Sequence, residues 1–115
     1  MRALNFYSSN YHSQLVCRRK TCTIRLGDKT NKYAEGDIVW VTVGKRFAQK
    51  KKIYTAMIDR VLVKTISQLT KDDLQGENPD IGNVEDIMEF LKTIYGKPIT
   101  SSETVSVVYF SEVIE

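Results

Sequence analysis

Hydrophobic and polar positions along the chain follow two repeats, one typical of strands and one typical of helices. Runs of alternating or continuously apolar residues predict strands at 3–6, 20–26, 38–43, 53–66 and 104–110. Helical spacing of apolar residues predicts helices at 8–18, 67–74 and 84–95. Polar turns and loops separate these elements, among them a basic connection at 44–52 and a loop at 76–82.

The third predicted helix has the clearest boundaries. Asn83 is a good N-cap, because its side chain can accept a hydrogen bond from the first turn. Gly96 suits the left-handed residue that often ends a helix. Between them, apolar residues recur at helical spacing, so one face of this helix is expected to pack on the sheet.

Short strands with inserted helices favour one fold class. We predict a small α+β domain built around a β-barrel-like sheet, with residues 1–115 forming a single domain. The sequence shows no internal repeat and no low-complexity segment. Trp40 lies within an apolar strand and is therefore expected in the core.

Composition excludes several classes of protein. The 115 residues are 42% hydrophobic and 27% charged, too apolar for a disordered chain and too charged for a membrane bundle. No apolar run approaches the ~20 residues that cross a bilayer, and no apolar signal segment opens the chain. Cys17, Cys22 and the single His12 make neither a disulfide framework nor a zinc site. We therefore expect a reduced, cytoplasmic monomer without membrane contact, metal or cofactor.

The distribution of charge is more informative than the net charge of +3. Residues 1–64 hold fourteen Lys and Arg against four acids, a net charge of +10. Residues 65–115 hold three Lys against ten acids, a net charge of −7. This asymmetry suggests a phosphate-binding surface in the first half. The alternative is that the two halves neutralise each other across the fold.

The segment 18–25 has a spacing of polar residues that suits ligand binding. On a strand, Thr21, Thr23 and Arg25 share one face, and Lys20 lies where the strand begins. A hydroxyl, an ammonium and a guanidinium could therefore converge on a ligand with carbonyl or phosphate oxygens. The alternative is a solvated strand face.

This segment, Arg18-Arg19-Lys20-Thr21-Cys22-Thr23-Ile24-Arg25, resembles the Gly-x-Lys-x-x-Thr-x-Arg signature of ASCH (activating signal cointegrator homology) domains. The later Tyr33-x-x-Gly36-Asp37, followed by an apolar strand, is similar to that family as well. The resemblance covers essentially the whole chain and implies a PUA-like β-barrel with a cleft lined by motif residues. Arg18 stands where the motif has Gly, a residue that adopts positive φ freely.

Some small bacterial ASCH proteins are amidohydrolases that remove the acetyl group of N(4)-acetylcytidine. The resemblance implies that Lys20, Thr23 and Glu77 are the catalytic residues and that Arg25 is the motif arginine. The chemistry leaves two routes open. Thr23 attacks with Lys20 as base, or Lys20 and Arg25 hold the substrate oxygens while Glu77 activates water.

A second basic cluster surrounds Phe47 in the connection 44–52. It could hold nucleic-acid phosphates while Phe47 stacks on a base, or it could be a solvated turn. The residues expected to bind substrate or RNA are Arg18, Arg19, Thr21, Arg25, Lys45, Arg46, Lys50, Lys51 and Lys52. The expected partner is RNA or a modified nucleoside. The sequence leaves open an amidohydrolase, a non-catalytic RNA-binding module and a ribonuclease.

Overall fold

One mixed sheet organises the chain in the computed structural model, which describes residues 2–7, 11–45 and 47–114. Its strands are β1 (Ala3–Phe6), β2 (Cys22–Leu26), β3 (Ile38–Val43), β4 (Lys51–Thr65) and β5 (Thr104–Glu112). They lie in the order β1-β3-β4-β5-β2. The β1–β3 pair is parallel and the other pairs are antiparallel. The strands β1 and β2 are the two edges and do not pair with each other, so the curled sheet is a half-barrel and not a closed barrel.

The 15-residue strand β4 connects the two halves of the sheet. It pairs with β3 through its first half and with β5 along most of its length. Its register with β5 shifts between Ile58 and Arg60, and its register with β3 shifts at Val41 and Thr42. Such irregularities bend a strand and increase its twist, which helps to curl this sheet.

The described helices are α1 (His12–Val16), α2 (Lys71–Glu77) and α3 (Val84–Tyr95), with a 3₁₀ turn at Ile66–Gln68. Thr70 begins α2 with a capping box, since its hydroxyl accepts from the Asp73 N–H and Asp73 accepts from the Thr70 N–H. Asn83 caps α3 through the Asp86 N–H at 2.8 Å, and Gly96 ends it at φ 65°.

Two apolar clusters form the core. The first fills the curled sheet with residues of β1, β3, β4 and β5, and includes Leu15 of α1 and Tyr33. The second lies between α2, α3 and the pair β2–β5, and includes Ile24, Leu74 and Leu91. Phe90 of α3 packs against both clusters. Helix α3 therefore lies where the two apolar clusters meet, beside the edge strand β2.

The predicted α+β class is confirmed, and the element boundaries differ at a few points. The strand predicted at 20–26 begins at Cys22, and the strand predicted at 53–66 already begins at Lys51. The helix predicted at 67–74 was wrong in position, because the Thr70 capping box delays α2 and lets it continue to Glu77. The described part of the helix predicted at 8–18 is His12–Val16, while residues 8–10 lie outside the described residues.

The core position predicted for Trp40 was wrong. Its side chain is 43% exposed, whereas Val39 and Val41 on either side are at most 1% exposed. Successive residues of a strand point to opposite faces, so Val39 and Val41 fill the core and Trp40 points outward. The apolar character of the whole strand concealed which face is buried.

Candidate functional site

The two edge strands of the half-barrel are joined through a side chain. Nη2 of Arg25 in β2 donates to the backbone carbonyl of Asn5 in β1 at 2.8 Å. A small cleft lies here, with β1 and β2 as its floor and Phe90, Ile94 and Tyr95 of α3 as a wall. Its volume is about 110 Å³, which accommodates one small planar group but not a drug-sized molecule.

Glu77 and Thr23 both line this cleft. Glu77 pairs with Lys20 in a salt bridge from which water is almost excluded, since the two residues are 2% and 1% exposed. Lys20 Nζ donates to the Glu77 carboxylate and also to the Glu77 backbone carbonyl at 2.6 Å. The other carboxylate oxygen accepts from the Ile24 N–H at 3.0 Å. A buried ion pair is tolerated only with such complementary contacts, because each charge has lost its hydration.

Gly76 explains how Glu77 reaches this position. A Cβ at Gly76 would lie 2.8 Å from Cys22 Sγ and 2.9 Å from Thr21 Oγ1, so only glycine lets α2 approach β2 this closely. The Thr21 N–H donates to the Gly76 carbonyl at 3.0 Å and fixes the approach. Glu77 was expected in a loop, and it is instead the last residue of α2.

Aromatic rings surround the ammonium of Lys20. Nζ lies 4.4 Å from the Tyr11 ring centroid and 5.1 Å from that of Phe6. Burial lowers the pKa of Lys20, while the Glu77 carboxylate acts in the opposite direction and only partly compensates. Burial and the negative charge of Glu77 raise the pKa of the Tyr11 phenol, so this hydroxyl stays protonated beside the carboxylate.

Thr23 and Arg25 complete the strand side of the cleft. Thr23 is 3% exposed, and its hydroxyl accepts from Nε of Arg25 at 3.4 Å. The Arg25 guanidinium lies 5.3 Å from the Phe6 ring and 5.9 Å from the Tyr33 ring. The structure therefore brings Thr23, Arg25 and Glu77 to one cleft and buries Lys20 directly behind Glu77.

Three other residues of the motif segment point elsewhere. Arg18 has φ 62°, at the position where the signature has Gly, and its guanidinium pairs with Glu112 at 2.8 Å and lies over the Tyr54 ring. Arg19 is exposed. Thr21 is exposed too, and its backbone carbonyl accepts from the Phe110 N–H. None of these three side chains lines the cleft.

The basic cluster of the β3–β4 connection forms a separate surface. Lys45 and Lys50 are exposed in the connection, and Lys51 and Lys52 are exposed at the start of β4. Arg46 lies outside the described residues. None of the four described lysines lines the cleft, and Nζ of Lys52 lies 5.3 Å from the Trp40 ring.

Sequence reasoning missed Tyr11 and Asn5 as parts of the site. Tyr11 was assigned to the apolar stripe of the first helix, and its ring does contact the core. Its position next to Lys20 depends on how α1 folds back, which no local pattern reports. Asn5 interrupts the apolar run of β1 between Leu4 and Phe6, and this was the available signal.

Among the described residues, no group of three or more His, Cys, Asp or Glu side chains is arranged to hold a metal ion. None of the described helices is both long and apolar enough to span a membrane. Cys17 and Cys22 are free thiols, the first exposed and the second buried.

Solved structures share this architecture. Protein EF3133 from Enterococcus faecalis, of the family DUF984, matches 98% of this chain and 80% of its own with a TM-score of 0.72 and 16% identity. An ASCH domain from Lactobacillus crispatus matches 94% of this chain and 77% of its own with a TM-score of 0.66 and 14% identity. The hypothetical protein PH0355 matches 98% of this chain and 100% of its own with a TM-score of 0.69 and 14% identity.

The chain has the fold of an ASCH domain. No family model and no curated protein matches its sequence. At this level of identity the likeness concerns the fold, a small α+β half-barrel. In this ASCH fold, the segment 18–25 forms the turn before β2 and most of β2 itself, and so places Thr23 and Arg25 at the cleft.

Proposed function

We propose that this chain is an ASCH-family protein whose cleft receives the base of a modified nucleoside or of RNA and hydrolyses the acyl amide of N(4)-acetylcytidine. The observation that carries the proposal is that Thr23 and Glu77 line one small cleft, with Lys20 buried in a salt bridge to Glu77. The aromatic residues Phe6, Phe90 and Tyr95 line it and suit a flat base. Because the cleft is small, the ribose of a bound nucleoside would lie outside it.

Thr23 is the nucleophile in this proposal. Its hydroxyl oxygen attacks the acetyl carbonyl carbon while its proton passes to the neutral form of Lys20, which burial makes more accessible because it lowers the pKa of this ammonium. The bond from the acetyl carbon to N4 then breaks, N4 takes a proton, and cytidine leaves. Water next hydrolyses the acetyl ester on Thr23, which releases acetate and restores the hydroxyl.

Glu77 orients Lys20 in this scheme. Both of its carboxylate oxygens already accept hydrogen bonds, one from Lys20 and one from the Ile24 N–H. This engagement favours Thr23 over a water molecule activated by Glu77. Nη2 of Arg25 is likewise engaged by the Asn5 carbonyl, which favours a role in shaping the cleft.

The test is incubation of purified protein with N(4)-acetylcytidine, followed by chromatography for cytidine. Thr23→Val keeps the size and β-branching of the side chain, so the fold should persist while turnover falls by about two orders of magnitude or more. Thr21→Val is the matched control, because Thr21 is an exposed threonine just before the same strand and lies outside the cleft. It should retain full turnover.

Two results would contradict parts of the proposal. Wild-type protein that leaves N(4)-acetylcytidine intact at high enzyme concentration excludes this substrate. Hydrolysis by Thr23→Val at the wild-type rate excludes Thr23 as nucleophile and favours water activated by Glu77.

A non-catalytic RNA-binding module is the second candidate, and the net charge of +10 in residues 1–64 favours it. In such a module the Thr23→Val substitution changes affinity for RNA by about one hydrogen bond, roughly 1 kcal/mol. Hydrolysis and binding assays on the same variant therefore separate the two candidates.

A further inference from the structure

The outer face of the β3–β4 pair presents an exposed aromatic ring beside a cation. Trp40 is the single tryptophan of the sequence and is 43% exposed. Nζ of Lys52 lies 5.3 Å from its ring centroid. Ile38 and Met57, which pair with each other across the two strands, are each 39% exposed on the same face. We call Trp40 and Lys52 together the Trp40 platform.

The segment of chain that carries the Trp40 platform holds charge of one sign. Residues 38–58 contain five Lys and Arg and no Asp or Glu. The four lysines among them, Lys45, Lys50, Lys51 and Lys52, are exposed. Such a cluster of cations complements a polyanion. The combination of an exposed ring with flanking cations is typical of single-strand nucleic-acid binding.

The sheet register links this platform to the cleft. Asn5, which lines the cleft, pairs with Thr42 in β3, and Thr42 pairs with Lys52 in β4. The Thr42 hydroxyl donates to the Asn5 side-chain oxygen at 2.8 Å, and the Asn5 amide donates to the Gly44 carbonyl at 3.0 Å. Neighbouring strands lie about 4.8 Å apart, so the backbones of Asn5 and Lys52 are roughly 10 Å apart. About three stacked nucleotides, at about 3.4 Å each, cover this distance.

We propose that the Trp40 platform binds single-stranded RNA next to the nucleotide held in the cleft, with a base stacked on Trp40 and a phosphate on Lys52. This inference rests on the proposed function to the extent that the cleft holds a nucleotide of the same strand. The natural ligand is then an RNA strand and not a free nucleoside, because a free nucleoside in the cleft would not reach Trp40.

The first measurement uses the fluorescence of Trp40, which reports on this face alone because the chain has one tryptophan. Titration with a single-stranded oligoribonucleotide of about ten residues should quench or shift the emission and saturate. Free cytidine at the same nucleotide concentration should leave the emission unchanged.

The second measurement uses the anisotropy of the labelled oligoribonucleotide with variants of the platform. Trp40→Leu should weaken binding about tenfold or more, since stacking on an aromatic side chain contributes that much per base. Trp40→Phe keeps a ring and should retain most of the affinity. Lys52→Gln should weaken binding and lower the slope of log K against log salt by about 0.7, the value for one phosphate contact on a single strand.

Lys71→Gln is the matched control for charge, because Lys71 is an exposed lysine on α2. It should leave both the affinity and the slope close to the wild-type values. Trp40 and Lys52 are exposed, so the variants should keep the circular dichroism and urea midpoint of the wild type.

The outcomes separate this inference from the proposed function. If Trp40→Leu binds RNA as tightly as the wild type, the Trp40 platform is excluded while hydrolysis in the cleft is unaffected. If Trp40→Leu loses RNA affinity but hydrolyses free N(4)-acetylcytidine at the wild-type rate, both are supported. If RNA quenches Trp40 and the wild type hydrolyses nothing, the platform is supported and the proposed reaction is excluded.

Discussion

The Arg25 guanidinium donates to the backbone carbonyl of Asn5 at 2.8 Å and thereby joins the two edge strands of the sheet. A ladder of backbone hydrogen bonds would close the barrel and fill the space between β1 and β2. A hydrogen bond made by a side chain leaves that space open as the cleft. The motif arginine is therefore part of the architecture of the site as well as a cation beside it.

Replacing Arg25 with Met should remove this connection. Hydrogen bonds from charged groups stabilise proteins by roughly 1.5–3 kcal/mol, and we expect a loss of that order in the free energy of unfolding. Urea denaturation measures it. Arg19→Met is the control, because Arg19 is an exposed arginine of the same segment, and its effect should stay within about 0.5 kcal/mol. Equal effects of the two substitutions would contradict the structural role of Arg25.

Glu77→Gln should destabilise the protein strongly. The variant leaves the buried Lys20 ammonium without its carboxylate partner, and breaking a buried pair in this way costs about 3–5 kcal/mol. The double variant Lys20→Met/Glu77→Gln removes both charges and should be more stable than Glu77→Gln alone. Urea denaturation of the four proteins gives the coupling free energy, and strictly additive losses would contradict the pairing.

Gly76→Ala should displace the last turn of α2. Alanine favours helices over glycine by up to about 1 kcal/mol, so a stabilising effect would be expected if space allowed. The added Cβ instead meets Cys22 Sγ and Thr21 Oγ1, and we expect a net loss of roughly 1–3 kcal/mol together with a fall in hydrolysis.

Gly82→Ala is the matched control for that substitution. A Cβ at Gly82 meets nothing within 4 Å, and its φ is not positive. Thermal denaturation and the cytidine assay should therefore show near wild-type behaviour for this variant. Similar losses of stability and hydrolysis at both glycines would contradict the claim that Gly76 is needed for the close approach of α2 to β2.

Asp73 should make stability depend on pH in the acid range. Burial acts to raise the pKa of this carboxyl, but Lys64 at 2.7 Å, the Thr70 N–H and the Tyr109 hydroxyl together hold the pKa below 3.8. Because the folded state binds the proton more weakly than the unfolded state, the stabilisation is complete above the unfolded pKa of about 3.9. It is lost as the pH falls through the lower folded value.

The measurement for Asp73 compares urea midpoints of the wild type and Asp73→Asn at pH 7 and near pH 3. The wild type should be the more stable at pH 7, and the difference should shrink on acidification. A difference that stays constant with pH would contradict the depressed pKa.

Local signals in the sequence predicted much of the fold. Asn83 and Gly96 bound α3 because capping and left-handed conformations depend on a few neighbouring atoms. The prediction that Trp40 lies in the core was wrong because an apolar strand gives no indication of which face the rest of the chain covers. The capping box at Thr70 depends on equally local signals, and it places Glu77 on a helix and not in a loop.

The candidate site was predictable only in part. Lys20, Thr23 and Arg25 are close in sequence, so their proximity follows from one strand and the turn before it. The partner Glu77 is 57 residues from Lys20, and their contact depends on the approach of α2 to β2 at Gly76. Burial of Lys20 between Tyr11 and Phe6 depends on three separate elements, and no local pattern encodes it.

The position of β2 at the edge of the sheet sets the order in which the molecule can be completed during synthesis. Its one partner strand is β5, with Cys22 opposite Tyr109, so the strand that carries Thr23 and Arg25 waits unpaired until the ribosome has made residues 104–112. The strands β1, β3 and β4 can pair earlier, because each neighbour is already available. Such long-range pairing is slow to form. A nascent chain would therefore pair β1, β3 and β4 first and form its cleft last.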